Sequence, residues 1–284
     1  MIARRVRARR AQRHTVERPA GPARVPQSSF GLVLHQARYD LRSFVRNRQA
    51  RFFTFILPII FLVIFVGVFG NHRVGPEQVK ASTYYVPGIS ALAIIAVSFV
   101  NLTITITAQR ETGVLKRRRA TPVPAWVLIG GRTLSTVTVA LLVMAGLLAF
   151  GRIAYDVRLP TSTIPGVLIT GLVGSVTFCI LAYALSTVIE SADAAQPMVQ
   201  AIVLPLYFIS GIFVPNPNLP NWLQDVARFF PVYHLADGLH HAYDPSARGS
   251  GIVLSDLAVL GLWALAGLIV ALRRFSWLPA AATN

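Results

Sequence analysis

Tyr84 to Ala108 reads YYVPGISALAIIAVSFVNLTITITA, and Gln109 to Pro124 continues QRETGVLKRRRATPVP. The first stretch contains no Asp, Glu, Lys, Arg or His. It exceeds the roughly 20 helical residues needed to cross a hydrocarbon layer of about 30 Å. The second packs Arg110, Glu111, Lys116, Arg117, Arg118 and Arg119 into one short turn. So many charges in so few residues belong outside the lipid. The pair therefore reads as a membrane span ended by a charged loop. Gly113 breaks the helix there, and Thr121-Pro122 starts the next element.

Five further apolar runs have the same character: Phe52 to Phe69, Ala125 to Phe150, Ile164 to Ile189, Pro197 to Val214 and Ile252 to Leu272. The spacing predicts six membrane helices. The first and fifth are short, which tilt can accommodate, and Pro58 and Pro205 should kink them. The first run is not read as a cleaved signal, because about 50 residues precede it and Gly70-Asn71-His72 offers no small-residue cleavage pattern. Composition agrees: 54% of the 284 residues are hydrophobic and only 13% charged, against roughly 25% charged in an ordinary soluble domain. That excludes a disordered chain and argues against a water-soluble enzyme. The lone Cys179 excludes an internal disulfide.

The net charge of +16 is distributed unevenly. With six spans, 21 of the 27 Lys and Arg fall on the side that holds the N-terminal segment, the 109–124 loop with Arg132, and the chain end. The positive-inside rule then expects both termini in the cytoplasm. It places the loops Asn71 to Thr83, Gly151 to Thr163 and Pro215 to Gly251 outside. Organisation follows: a disordered basic tail over 1–27, an amphipathic interfacial helix over 28–50, a six-span domain over 51–274 and a short tail over 275–284. The arginine-rich tail has two readings, a nucleic-acid or regulatory arm and a topogenic, lipid-touching arm; the second is preferred, with no nucleic-acid partner. In the interfacial segment Phe30, Leu34, Ala37, Leu41, Phe44 and Val45 recur at helical spacing, while Arg38, Arg42 and Arg46 form a second stripe.

The fuel for such a protein is not in the chain. A P-loop needs Gly-Lys-Ser/Thr, and the two lysines, Lys80 and Lys116, are followed by Ala81 and Arg117. No span carries an ionisable residue near its centre; Arg132, Glu190 and Asp256 lie near ends. Proton coupling thus lacks evident carriers, although Na⁺ held by backbone carbonyls stays open. Adjacent His240 and His241 point apart on a helix, and with His234 they make no convincing metal site. No H-E-x-x-H or G-x-S-x-G motif supports an enzyme.

The loop after the second span resembles that of the ABC-2 type permeases, particularly the bacterial daunorubicin-resistance-like drug and lipid exporters. Arg110, Glu111, Gly113, Leu115, Thr121 and Pro122 match the family's E-R-E-x-G-T-L-E-x-L-x-x-T-P layout, with Lys116 where glutamate is common. After the fifth span, Ser210, Gly211, Phe213, Pro215, Pro220, Trp222, Pro231, His234 and Asp237 follow a second family layout, and His240 departs from its usual arginine. The resemblance implies an all-α integral membrane fold of the type V exporter kind. Its parts are six spans, an interfacial helix, a cytoplasmic coupling helix and an outer re-entrant helical hairpin. It also implies a bacterial inner-membrane location, two copies of an ABC ATPase subunit that bind ATP and Mg, and a second permease subunit in a homodimer or heterodimer.

On that resemblance, Arg110, Glu111, Gly113 and the Lys116, Arg117, Arg118, Arg119 cluster are expected to meet the ATPase, aided by the interfacial Arg38, Arg42 and Arg46. The turn Glu190 to Asp193 is a second candidate contact, or else a solvated turn. Asn101, Thr105, Gln200, Tyr207 and Phe208 are candidates for a substrate path suited to an amphiphilic cargo. Thr103, Thr105 and Thr107 cannot all face one way on a helix. Gly211, Phe213, Pro215, Trp222, Phe230, Pro231 and Asp237 are expected in the outer gate segment. The expected function is ATP-driven export by alternating access, with an ion-gradient-driven secondary transporter as the alternative.

Overall fold

A computed structural model describes residues 29–69, 73–74, 79–119, 123–157, 161–215, 218–244 and 249–274. The tails expected over 1–27 and 275–284, together with Thr121 and Pro122, lie outside the described residues, as do the side chains of Lys116, Arg118 and Arg119. Among the described residues, six helices are long and apolar enough to cross a membrane. They are α2 (Arg48–Phe69), the continuous pair α3 (Ala81–Ile95) and α4 (Leu102–Glu111), α6 (Ala125–Tyr155), α7 (Ile164–Ser186), α8 (Ala192–Ile209) and α11 (Leu254–Arg274). Between the spans lie α1 (Ser29–Arg46), the short α5 (Val114–Arg119), α9 (Asn221–Phe229) and α10 (Pro231–Tyr243). A two-residue ribbon pairs β1 (Arg73–Val74) with β2 (Val79–Lys80). Apart from that short ribbon, the described architecture is the six-span, helical one expected.

Helix ends differ from the apolar runs by up to five residues, and at the second and fifth spans the local reason is visible. The second span runs 31 residues, Ala81–Glu111, or about 46 Å at 1.5 Å per residue. It outlasts the hydrocarbon because its polar end finds protein partners. A π-helical turn over Ala96–Asn101 joins its halves. The fifth span begins at Ala192 instead of Pro197, because Ser191 Oγ accepts the Ala194 N–H at 3.2 Å and caps the helix. It ends at Ile209 instead of Val214, before Gly211 turns the chain with φ of +80°. Helices α2 and α8 continue through Pro58 and Pro205.

The second span is the axis of the bundle. In its most apolar window 72% of residues are buried, against 17% in those of α2 and α11. It is enclosed by α2, α6, α7 and α10, and α11 lies along α7. Ile56, Ile60 and Val63 on α2, and Leu262, Leu265 and Ile269 on α11, are left facing outward, as lipid contact requires. Helix α1 lies on α6 through Ala37 and a pair of glycines. A Cβ at Gly131 would come within 2.7 Å of Gln36 Cβ and 3.0 Å of the Val33 carbonyl oxygen, so only glycine permits this approach.

Candidate functional site

Two groups of candidate residues occupy opposite ends of the long second span. At the basic end, α4 stops at Glu111, Thr112 follows, and Gly113 adopts φ of +69°, which releases α5 in a new direction. Arg110 is only 6% exposed. Its Nη1 donates to the Ser186 carbonyl at 2.7 Å, and its Nη2 donates to the Ile189 carbonyl. The Ser186 carbonyl ends α7, where the helix dipole is negative and a cation is favoured, and Ile189 lies in the turn just beyond it. The neighbouring Glu111 is exposed and takes the opposite role, since its Oε2 accepts the Ala192 N–H at 2.5 Å. An anion thus sits on the N-terminus of α8. One dipeptide clamps the end of α7 and the start of α8.

The turn Glu190 to Asp193 is therefore held directly by Glu111. Leu115 of α5 is buried, while Arg117 is exposed and donates to the Thr112 carbonyl at 3.4 Å. Arg38, Arg42 and Arg46 are all exposed on α1. Arg132, half-buried on α6, donates to Gln109 Oε1 at 3.3 Å. Ser186, Ile189 and Gln109 complete this end of the bundle without having been expected in it. The first two contribute backbone carbonyls, which leave no trace in residue identity.

At the other end, the turn after α8 is latched to the second span and to α10. Tyr84 Oη donates to the Gly211 carbonyl at 2.7 Å, and Tyr85 Oη donates to the Phe213 carbonyl at 3.4 Å. The His240 ring stacks on Tyr84 with centroids 4.4 Å apart. Phe213 centres an aromatic cluster: it stacks on Phe65 of α2 at 5.0 Å and meets Tyr207 and Phe208 of α8. Pro215 is buried. Helix α9 keeps Trp222 (66%) and Phe229 (67%) exposed, an apolar face suited to the membrane interface.

Pro231 opens α10, which at 13 residues is too short to span. His234 Nδ1 lies 2.8 Å from Asp256 Oδ1, and Nε2 lies 2.7 Å from the Arg228 carbonyl. Both ring nitrogens face acceptors, which is the arrangement of an imidazolium and leaves no nitrogen for a metal. Burial opposes that charge. The Asp256 hydrogen bond, the Arg228 carbonyl and the carboxylates of Asp256 and Asp237 outweigh it, so the His234 pKa is raised. Trp263 of α11 donates to the Phe229 carbonyl at 3.0 Å and stacks near Phe230.

Of the substrate-path candidates, Asn101 and Thr105 share one cavity, while Gln200, Tyr207 and Phe208 face different ways on α8. Thr103 and Thr107 are buried and return their hydroxyls to carbonyls one turn back, whereas Thr105 faces a cavity with Asn101 beside α1 and α6. Tyr207 points inward against Phe213, Phe208 is exposed outward, and Gln200 is half-buried.

A basic turn clamped to two spans and an aromatic-latched turn before α9 and α10 characterise the fold, and the ABC-2 type transporter family profile matches residues 33–243. The chain belongs to that family. It is 22% identical over 211 residues to a protein of Bacillus subtilis (strain 168) carrying the transport-permease name YvfS, covering 74% of this chain and 84% of that one. It is 24% identical over 197 residues to the daunorubicin resistance ABC transporter permease protein DrrB1 of Streptomyces coeruleorubidus, 64% of each chain. A protein of Escherichia coli (strain K12) carrying the multidrug ABC transporter permease name YbhR is 24% identical over 163 residues, 54% of this chain and 42% of its own. The permease is a multi-pass membrane protein with the family's six spans, and the family implies an ABC ATPase partner.

Proposed function

We propose that this permease is the membrane subunit of a bacterial exporter that moves a hydrophobic or amphiphilic cargo, a drug or a lipid, outward by alternating access. Two ATPase subunits bind ATP and Mg and dock on the cytoplasmic face, where both termini lie. A second permease subunit, identical or related, completes the path. The observation that carries this reading is the clamp formed by Arg110 and Glu111. Force applied to α5 reaches Arg110 and Glu111 at the end of α4, and through them the carbonyls of Ser186 and Ile189 after the fourth span and the first turn of α8. The second, fourth and fifth spans then move as a linked unit. Movement at the basic end is transmitted along α4, α3 and α8 to the Tyr84–Gly211 latch, about 40 Å away.

The exposed arginines of α1 and Arg117 supply a basic surface for an ATPase groove with acidic residues. The relatives' names, daunorubicin resistance and multidrug permease, support an amphiphilic cargo. The test is co-purification with the nucleotide-binding subunit from the same genome, followed by transport in proteoliposomes. Cargo-stimulated ATP hydrolysis and ATP-dependent transport are expected. Transport sustained by an ion gradient without the ATPase would overturn the reading in favour of a secondary transporter.

A further inference from the structure

Between α1, α4 and α6 lies a cavity of about 350 Å³, within the size range of small-molecule sites. Its polar lining includes Asp40, Arg132, Gln109 and Asn101, and its apolar lining includes Val97 and Val139. Gln109 sits two residues from the end of α4, and Val97 lies twelve residues earlier, about 18 Å deeper along the axis. The cavity therefore runs from the charged end of the bundle into the apolar zone. The π-helical turn Ala96–Asn101 supplies Val97 and Asn101 to it, and such turns recur at functional positions.

The charges in this cavity are of opposite sign, yet none of the ion pairs among the described residues joins them. Arg132 uses one nitrogen on Gln109 Oε1. Asp40 Oδ2 is enclosed and has no hydrogen-bond partner among the described residues. An enclosed carboxylate oxygen without a donor is unfavourable unless a ligand supplies one. A simple cation satisfying Asp40 would meet Arg132, and a simple anion satisfying Arg132 would meet Asp40. A zwitterion answers both. We propose that this cavity is a headgroup site for an aminophospholipid, its ammonium on Asp40, its phosphate on Arg132 and its chains along the Val97 and Val139 wall. The lipid joins the interfacial helix to the second and third spans. This holds whatever the fuel or direction of transport.

The test uses the full chain in detergent, titrated with phosphatidylethanolamine, its N-acetylated form and phosphatidylglycerol, with retained lipid read by native mass spectrometry. Phosphatidylethanolamine is expected to bind, and capping its amine is expected to weaken binding about tenfold. Asp40→Asn should abolish the preference for the free amine, and Arg132→Gln should weaken both ethanolamine lipids alike. Soluble phosphorylethanolamine at the lipid's concentration should not displace it. Equal binding of capped and uncapped lipid by the unaltered chain overturns the proposal, as does displacement by the soluble headgroup. Should Asp40→Asn fail to fold, the capped-lipid comparison on the unaltered chain decides alone.

Discussion

The carboxylate of Glu111, the last residue of α4, accepts the backbone N–H of Ala192, the first residue of α8, at 2.5 Å. These residues are 81 apart in sequence. Together with Arg110 on the carbonyls of Ser186 and Ile189, the bond makes the 109–119 turn part of the α7–α8 junction. A push on that turn is a push on three spans.

Charge reversal at Glu111 should uncouple the machine. Glu111→Lys removes the anion from the start of α8 and places a cation beside Arg110. A charge-assisted hydrogen bond contributes about 1.5–3 kcal/mol, so transport per ATP hydrolysed should fall by about tenfold or more. The amount of protein in the membrane should stay unchanged. Parallel ATPase and transport assays in proteoliposomes read this directly, and normal coupling in the variant would remove Glu111 from the pathway.

Arg110 should matter more for stability than for docking. Its guanidinium is buried, and Arg110→Ala leaves the Ser186 and Ile189 carbonyls without their donor at the end of α7. A loss of about 2–4 kcal/mol is expected, read as a drop of several degrees in Tm in detergent. Arg117→Ala, exposed on α5, should leave Tm unchanged and weaken ATPase association instead.

The seat of the interfacial helix depends on Gly131. Gly131→Val forces side-chain atoms into Gln36 and the Val33 carbonyl, so α1 must lift from α6. Spin labels on exposed positions of α1 and α6 should separate by a few ångströms, with transport reduced. An unchanged distance would show that the contact adapts.

The packing of α9 and α10 against α11 should loosen as pH rises. His234 has a raised pKa because its pairing with Asp256 and the Arg228 carbonyl outweighs burial. A group whose folded pKa exceeds its unfolded value stabilises fully below the ordinary histidine value, and loses that contribution as pH rises through the raised one. Trp263, bonded to the Phe229 carbonyl, reports the contact. Tryptophan emission should shift across that window, and the shift should be absent in His234→Gln.

Span number, the turn at Gly113 and the amphipathic α1 were legible in one dimension, because hydrocarbon thickness and helical period translate directly into run length and spacing. The ends of α8 were not, because Ser191 and Gly211 override hydropathy through a cap and a left-handed turn. Asp40 did leave a signal, as the lone acidic residue in an arginine-bearing helix. Its enclosure did not, because that requires Asn101, Gln109 and Arg132 from two other helices. Likewise, the three threonines of α4 were known to diverge, but which one met a cavity was decided by the helices around them.

Residue order alone determined that this chain crosses a membrane six times and which of its turns carry charge, since burying a backbone in lipid leaves apolar helices as the solution open to it. Tertiary structure decided what each charge does. Arg110 and Arg117 look alike in a basic run, yet one is folded inward onto carbonyls 76 and 79 residues away and the other faces solvent. The difference arises because a guanidinium's partners here are backbone oxygens, whose positions exist only once the spans have packed.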